Sequence, residues 1–281
     1  MQTRILFLSL TISLGCFGQN IPDTGFTNKI EAKNLKVKGL KEGKWIEYIS
    51  NSTLPAPDSN ATYYLLIVYK ASKPIGTSHL FYRSGKLESA ITYSNGKVNG
   101  LVKHYYESGK LEKETPFTND EINGVEKWYY EDGSVETTIP YLVGKCNDTV
   151  KEYYGSGKLK RETPYINNKR NGTEKGYYEN GTLFSMASYI QDKKNGVERW
   201  YYDTGKVLWE TNYKNGKENG IHKWYYKNGV LERELPYTND EINGEEKLYY
   251  EDGKLEAVST YVTGKPVKTK DYDEKGNEIK K

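Results

Sequence analysis

An aromatic pair recurs every 24 residues along this chain. The second ring of each pair falls at Tyr82, Tyr106, Tyr130, Tyr154, Tyr178, Tyr202, Tyr226 and Tyr250. Glycine follows three residues later each time, from Gly85 to Gly253, and an aliphatic stands two beyond it, from Leu87 to Leu255. A further aromatic comes six residues on, from Tyr93 to Tyr261, and a Lys, Arg or His lies three residues before each second ring, from His79 to Lys247. Eight units run without an insertion or deletion. Residues 118–133 and 238–253 agree at 14 of 16 positions because they lie five periods apart. A period of this length is the signature of a stacked array in which each unit mostly touches its neighbours.

Each unit reads as one β-hairpin. A short β-prone run such as "VEKWYY" is followed by a turn such as "EDG", "ENG" or "KNG", then by a second extended run ending in an aromatic. Asn-Gly and Asp-Gly supply the positive φ of a tight hairpin turn. Pro116, Pro140, Pro164 and Pro236 all precede the second-strand aromatic. Proline cannot donate to a ladder, so each is expected at a strand end or a bulge. The expected fold is therefore all-β: an elongated array of 24-residue hairpins forming a twisted antiparallel sheet. Alternation along a strand sends the two rings of a pair to opposite faces. One ring row is joined by Trp128, Trp200 and Trp224, and the other runs with the Lys/Arg column.

Composition supports a thin structure. The chain has 27 Tyr against 6 Phe and 5 Trp, with only 36% hydrophobic residues and a mean hydropathy of −0.85. Disordered chains are poor in aromatics, so this chain is expected to bury tyrosine rings while their hydroxyls stay in water.

The ends depart from the period. Residues 1–18 have Arg4, an apolar run from Ile5 to Leu14, and then small residues, the anatomy of a secretory signal peptide. Cleavage after Gly18 would leave Gln19 first. Cleavage before Cys16 would leave a cysteine for lipidation. Of these, soluble export into the periplasm or beyond is the expectation, with a lipid anchor at the outer membrane as the alternative. Residues 19–42 show no clear pattern and read as a leader. Residues 43–75 read as an irregular first hairpin with an inserted loop over 50–60, residues 76–267 as the eight regular units, and residues 268–281 as a charged cap. Arg4 is the only charged residue in 1–18, so its removal takes the formal net charge from +3 to +2. A balance this close to neutral gives no electrostatic pull toward nucleic acid. The two cysteines, Cys16 and Cys146, cannot supply a disulfide framework.

The unit "NGxxKxYYxxGKLxxxxxY" resembles the variant branch of the MORN (membrane occupation and recognition nexus) repeat family, over about residues 40–280. Asp148 departs from it, standing where other units carry the first-strand glycine. The resemblance implies a twisted antiparallel sheet of hairpins. It also carries a label of toxin–antitoxin antitoxin component, which the signal peptide argues against because such a protein would meet its toxin in the cytoplasm. A weaker resemblance, of "KWYYEDGSV" and "KWYYKNGVL" to aromatic hairpin repeats that bind choline or glucan, lacks their second Gly-Trp pair.

Sites of chemistry are scarce. "GSGKL" at 155–159 lacks the upstream glycine and the Ser/Thr of a phosphate loop. "NDEING" lacks the alternating oxygen ligands of a calcium loop and reads as a polar turn. His79, His104 and His222 occupy three different positions of the unit and do not converge. No catalytic residue, cofactor or metal is expected. At least one aromatic row should be core. An exposed row would be a binding surface, and the candidates for it are Trp128, Trp200 and Trp224 with Tyr106, Tyr130, Tyr154, Tyr178, Tyr202, Tyr226 and Tyr250. The expected role is a non-enzymatic, exported scaffold for a protein partner in the bacterial envelope, with a cell-surface glycan as the alternative ligand. Contact with membrane is expected only through an N-terminal lipid.

Overall fold

A computed structural model describes residues 25–50 and 54–279. Residues 1–18, expected as a signal peptide, and both expected cleavage positions, Cys16 included, lie outside them. The 26 strands of the described residues join through antiparallel pairings, each strand with the next or next but one in sequence, so they form one open, twisted sheet. The described residues contain no α-helix, only single 3-10 turns at Lys29–Glu31 and Asp58–Asn60.

Two turn types alternate. After each aromatic pair, as at residues 106–110, the glycine amide bonds back to the second tyrosine's carbonyl (Gly109 N to Tyr106 O, 2.8 Å) and the glycine takes a positive φ of 85°. A one-residue register shift falls next to each such turn, as between His104 and Tyr105. The second turn uses two left-handed residues in a row, such as Asn119 and Asp120 (φ 53° and 74°), joining Thr118 to Glu121 as a two-residue hairpin. Gly, Asn and Asp adopt this conformation most readily and fill most of these places, though Ala71, Ser72, Val143, Gln191 and Thr263 also take it.

The prolines mark where strands break. Pro116, Pro140, Pro164 and Pro236 each face a neighbouring strand that is split, as at Glu121–Ile122 and Gly124–Tyr129 beside Pro116. Where Thr92, Ser188, Asn212 or Thr260 stands instead, the neighbouring strand is continuous, as in Lys193–Tyr201. The missing proline N–H removes one rung of the ladder, and the partner opens there.

Glycine next to the break is required by contact as well as by φ. A Cβ on Gly172 would lie 2.7 Å from Pro164 Cγ, at a φ of 125°. Asp148 occupies the equivalent place in its own unit and keeps both the left-handed backbone (φ 94°) and the pairing with Tyr165. That unit therefore starts as the others do, with strain where the others have glycine.

At the N-terminal end, strand Leu40–Ser50 pairs with Tyr63–Lys70. Residues 25–42, patternless in sequence, pack against this hairpin. Phe26 is buried with Leu66 and Phe81, and Leu35–Val37 pairs with the start of Leu40–Ser50. The Asn34 side chain accepts from Ile46 N at 2.9 Å, in place of a strand neighbour. This covers the edge of the sheet and leaves fewer free backbone groups for unwanted pairing.

Candidate binding faces

The register sorts side chains into two faces. On one face, Lys and Glu columns alternate with the first ring of each aromatic pair. Lys175 and Tyr177 both bond the Glu162 carboxylate of the preceding unit, at 3.0 and 2.9 Å. Tyr129 bonds Glu114 at 2.7 Å and Tyr225 bonds Glu210 at 3.2 Å. Burial and these carboxylates push the hydroxyls of Tyr129, Tyr177 and Tyr225 up to about 12. Burial would raise Glu162, but its hydrogen bonds from Lys175 and Tyr177 outweigh that and hold it below its ordinary value. The rim of this face carries exposed aliphatics in three consecutive units: Leu142 at 57%, Ile166 at 45% and Ile190 at 53%.

Apart from the Phe26–Leu66–Phe81 cluster at the N-terminal end, the core lies on the opposite face, as a row of mostly small or polar side chains running across the strands. Successive members include Ser78, Val102, Thr115, Glu126, Thr163, Ala187, Glu198, Thr211, Leu235 and Glu246, all buried. A row of second-strand tyrosines flanks it on one side. Burial there reaches Tyr189, over which the Arg170 guanidinium sits 4.0 Å from the ring centroid. The buried glutamates are each tied down. Glu126 accepts from Thr115 at 2.7 Å and from the Trp128 indole at 2.9 Å. Glu198 accepts from Lys194 at 2.5 Å, and Glu246 from Arg233 at 2.6 Å. Pairing of this kind is what makes a buried carboxylate tolerable.

The row flanking the other side holds the tryptophans. Trp128 stands alone in it, with Lys113 Nζ 4.6 Å from its ring. Trp200 and Trp224 are joined by Trp209, which lies between them on the intervening strand and pairs with both. Trp200 and Trp209 have centroids 5.8 Å apart and near-parallel planes. Phe184 extends the row. Its ring lies over Gly176, where a Cβ would come within 2.5 Å of it, and its centroid is 5.6 Å from Trp200. Trp209 and Phe184 were missed by reading one column of the repeat. The signal for Trp209 was the hairpin register, which places 200 opposite 209.

The seven candidate tyrosines take a different role from the tryptophans. Each donates its hydroxyl to a backbone carbonyl of the next unit, so these hydroxyls are not left in water as composition suggested. The bonds run from Tyr106 to Tyr129 O (2.6 Å), Tyr130 to Tyr153 O (2.7 Å), Tyr154 to Tyr177 O (2.7 Å) and Tyr178 to Tyr201 O (3.2 Å). Tyr202 to Tyr225 O (2.8 Å), Tyr226 to Tyr249 O (2.7 Å) and Tyr250 to Tyr272 O (2.9 Å) complete them. Within a pair, the first ring reaches back one unit and the second reaches forward one. The polar turns add a third tie: Asp120 accepts from Val98 N at 2.7 Å, and Asp240 from Glu218 N at 2.7 Å. The "NDEING" acid thus holds the preceding unit.

His222 is the one histidine set deep in the aromatic face. It stacks flat on Trp224 with a centroid distance of 3.7 Å, and Nδ1 lies 3.2 Å from Glu218 Oε1. Burial, helped by the Arg233 charge, lowers it to about 4 against a smaller opposing pull from Glu198, so it is neutral at pH 7. Its Nε2 and the hydroxyl of Thr211 have no partner among the described residues. No group of His, Cys, Asp and Glu among the described residues is arranged to hold a metal. No helix among them is long and apolar enough to cross a membrane.

Comparison with known proteins is informative at the level of the repeat. A profile described as "MORN repeat variant" matches residues 98–119, 122–142, 149–167, 170–191, 194–215, 218–239 and 242–262, more than half of the chain. Comparison with curated proteins finds no match. Among solved structures, the chain is similar to part of the one titled "Crystal Structure of TcdB2-TccC3-Cdc42". The identity is 11% over 83% of this chain, which spans 16% of that one, and the TM-score is 0.21.

Proposed function

Because the chain belongs to the MORN repeat variant family, a non-enzymatic kind of repeat module that binds protein or lipid, we propose that it is an exported scaffold that holds a protein partner in the bacterial envelope. The observation that carries this reading is the rim of Leu142, Ile166 and Ile190, exposed at one position of three consecutive units. Val125 and Ile221 add exposed aliphatics on the same face. Side chains repeated in line across a sheet suit an extended partner better than a small substrate, and an exposed apolar strip is the usual mark of such a contact. The signal-peptide-like sequence of residues 1–18 supports a partner outside the cytoplasm. An antitoxin role would instead need the full-length chain in the cytosol.

The test is capture of one defined partner. Mature protein is cross-linked in living host cells and the linked peptides are mapped. The reading expects one envelope protein linked along the 142–190 rim, with the link lost in the Ile166→Glu variant. Cross-links scattered over both faces, or unchanged by Ile166→Glu, would contradict it.

A further inference from the structure

We infer that the ledge formed by Phe184, Trp200, Trp209 and Trp224 is a separate binding site for an uncharged polysaccharide chain. It lies on the face opposite the aliphatic rim, so it stands or falls independently of the protein partner.

The ledge is a strip one side chain wide. Its rings come from strands Leu183–Ile190, Lys193–Tyr201, Val207–Lys214 and Lys217–Tyr225, four neighbours in the sheet. At about 4.8 Å per strand it runs roughly 15 Å. Trp200 is 37% exposed and its three companions are partly exposed. Four rings of about 150–250 Å² each, none more than 37% exposed, offer less than half of the roughly 800 Å² per side of a stable protein interface. The strip therefore fits a narrow, extended ligand.

Charge around the strip narrows the class. Glu198 is paired with Lys194 and Glu246 with Arg233. Arg233 also lies over the Trp224 ring at 5.0 Å, and His222 beside it is neutral. Both cations already have a carboxylate and Glu218 faces the neutral His222, so nothing here draws an anionic ligand. His222 and Arg233 cover the Trp224 ring, so the open aromatic surface is that of Phe184, Trp200 and Trp209, bordered by hydrogen-bonding groups. A pyranose has the complementary form, with C–H groups on its faces and hydroxyls round its edge.

Two features argue that the ledge is built for exposure. The chain has five tryptophans, and three of them stand side by side here. Phe184 covers Gly176 and so continues the aromatic surface across a unit that has no tryptophan.

The test is titration of the mature chain with neutral cello-, xylo-, malto- and chito-hexasaccharides and a proline-rich peptide, read by tryptophan fluorescence. Circular dichroism confirms folding of each variant. The inference expects saturable binding of at least one hexasaccharide, unchanged between low and high salt. Binding should weaken about tenfold or more in Trp209→Ala, about one aromatic contact's worth, and persist in Trp128→Ala. Trp200→Phe, which keeps a ring, serves if Trp209→Ala does not fold and should bind with reduced affinity. No saturable response to any sugar, equal affinity in the ledge variants, or a response to the peptide alone would overturn it.

Discussion

The hydroxyl of Tyr130 donates a 2.7 Å hydrogen bond to the main-chain carbonyl of Tyr153, one unit further along the sheet. The same bond recurs in every unit from Tyr106 to Tyr250. It joins each unit to the backbone of the next. Removing one hydroxyl should therefore cost about 1 kcal/mol, the usual worth of such a bond. Tyr130→Phe and Tyr226→Phe should each lower the unfolding free energy, measured by urea denaturation, by that amount. Being four units apart, their effects should add. A double variant no less stable than either single one would show that the bonds are not holding the array.

Asp148 keeps a φ of 94° where its counterparts are glycine. Asp148→Gly should relieve that strain and raise stability by about 1 kcal/mol, although it loses the bond that Asp148 Oδ1 accepts from Thr149 N. Gly172→Ala should do the reverse and cost roughly 2 kcal/mol or more, because both the φ and the contact with Pro164 oppose it. Urea denaturation of the two variants beside the wild type measures both.

Gly176 and Phe184 form a coupled pair. Gly176→Ala alone should destabilise by about 1–3 kcal/mol, because the new methyl group meets the Phe184 ring. In a Phe184→Ala background the same change should cost much less. A double-mutant cycle reads this directly, and equal costs in both backgrounds would show that the ring does not lie over residue 176 in solution.

His222 makes stability depend on pH. Its folded-state value of about 4 lies below the ordinary 6.5 or so of an unfolded histidine. The unfolded chain therefore binds the extra proton first as pH falls. The contribution is present in full above about pH 6.5 and is lost progressively down to about 4, by roughly 2 kcal/mol. Urea midpoints measured across that range should fall with acid, and less steeply in His222→Gln. An identical slope in the variant would show that other groups carry the effect.

Much of this fold was legible because its period is exact in the residues that control backbone geometry. Paired glycine and asparagine turns, alternating strands and ladder-breaking prolines are local, and each acts within a few residues. The glutamates of the core row were not legible. A Glu beside a Lys reads as a solvated face, and only the pairing register shows that Glu126, Glu198 and Glu246 point inward. Trp209 was hidden for the same reason, since it joins the ledge through a cross-strand pair. The tyrosine hydroxyls were assigned to water because their acceptors lie 23 residues away in six of the seven units, on backbone that carries no sequence signal.

Both proposed ligands of this chain lie outside the cytoplasm, so its location in the host tests the account most directly. The measurement is the intact mass of the native protein in each fraction of host cells. The account predicts a processed chain in the exported fraction, beginning at Gln19 or, if lipidated, at an acylated Cys16. An unprocessed chain beginning at Met1 in the cytosol would contradict it.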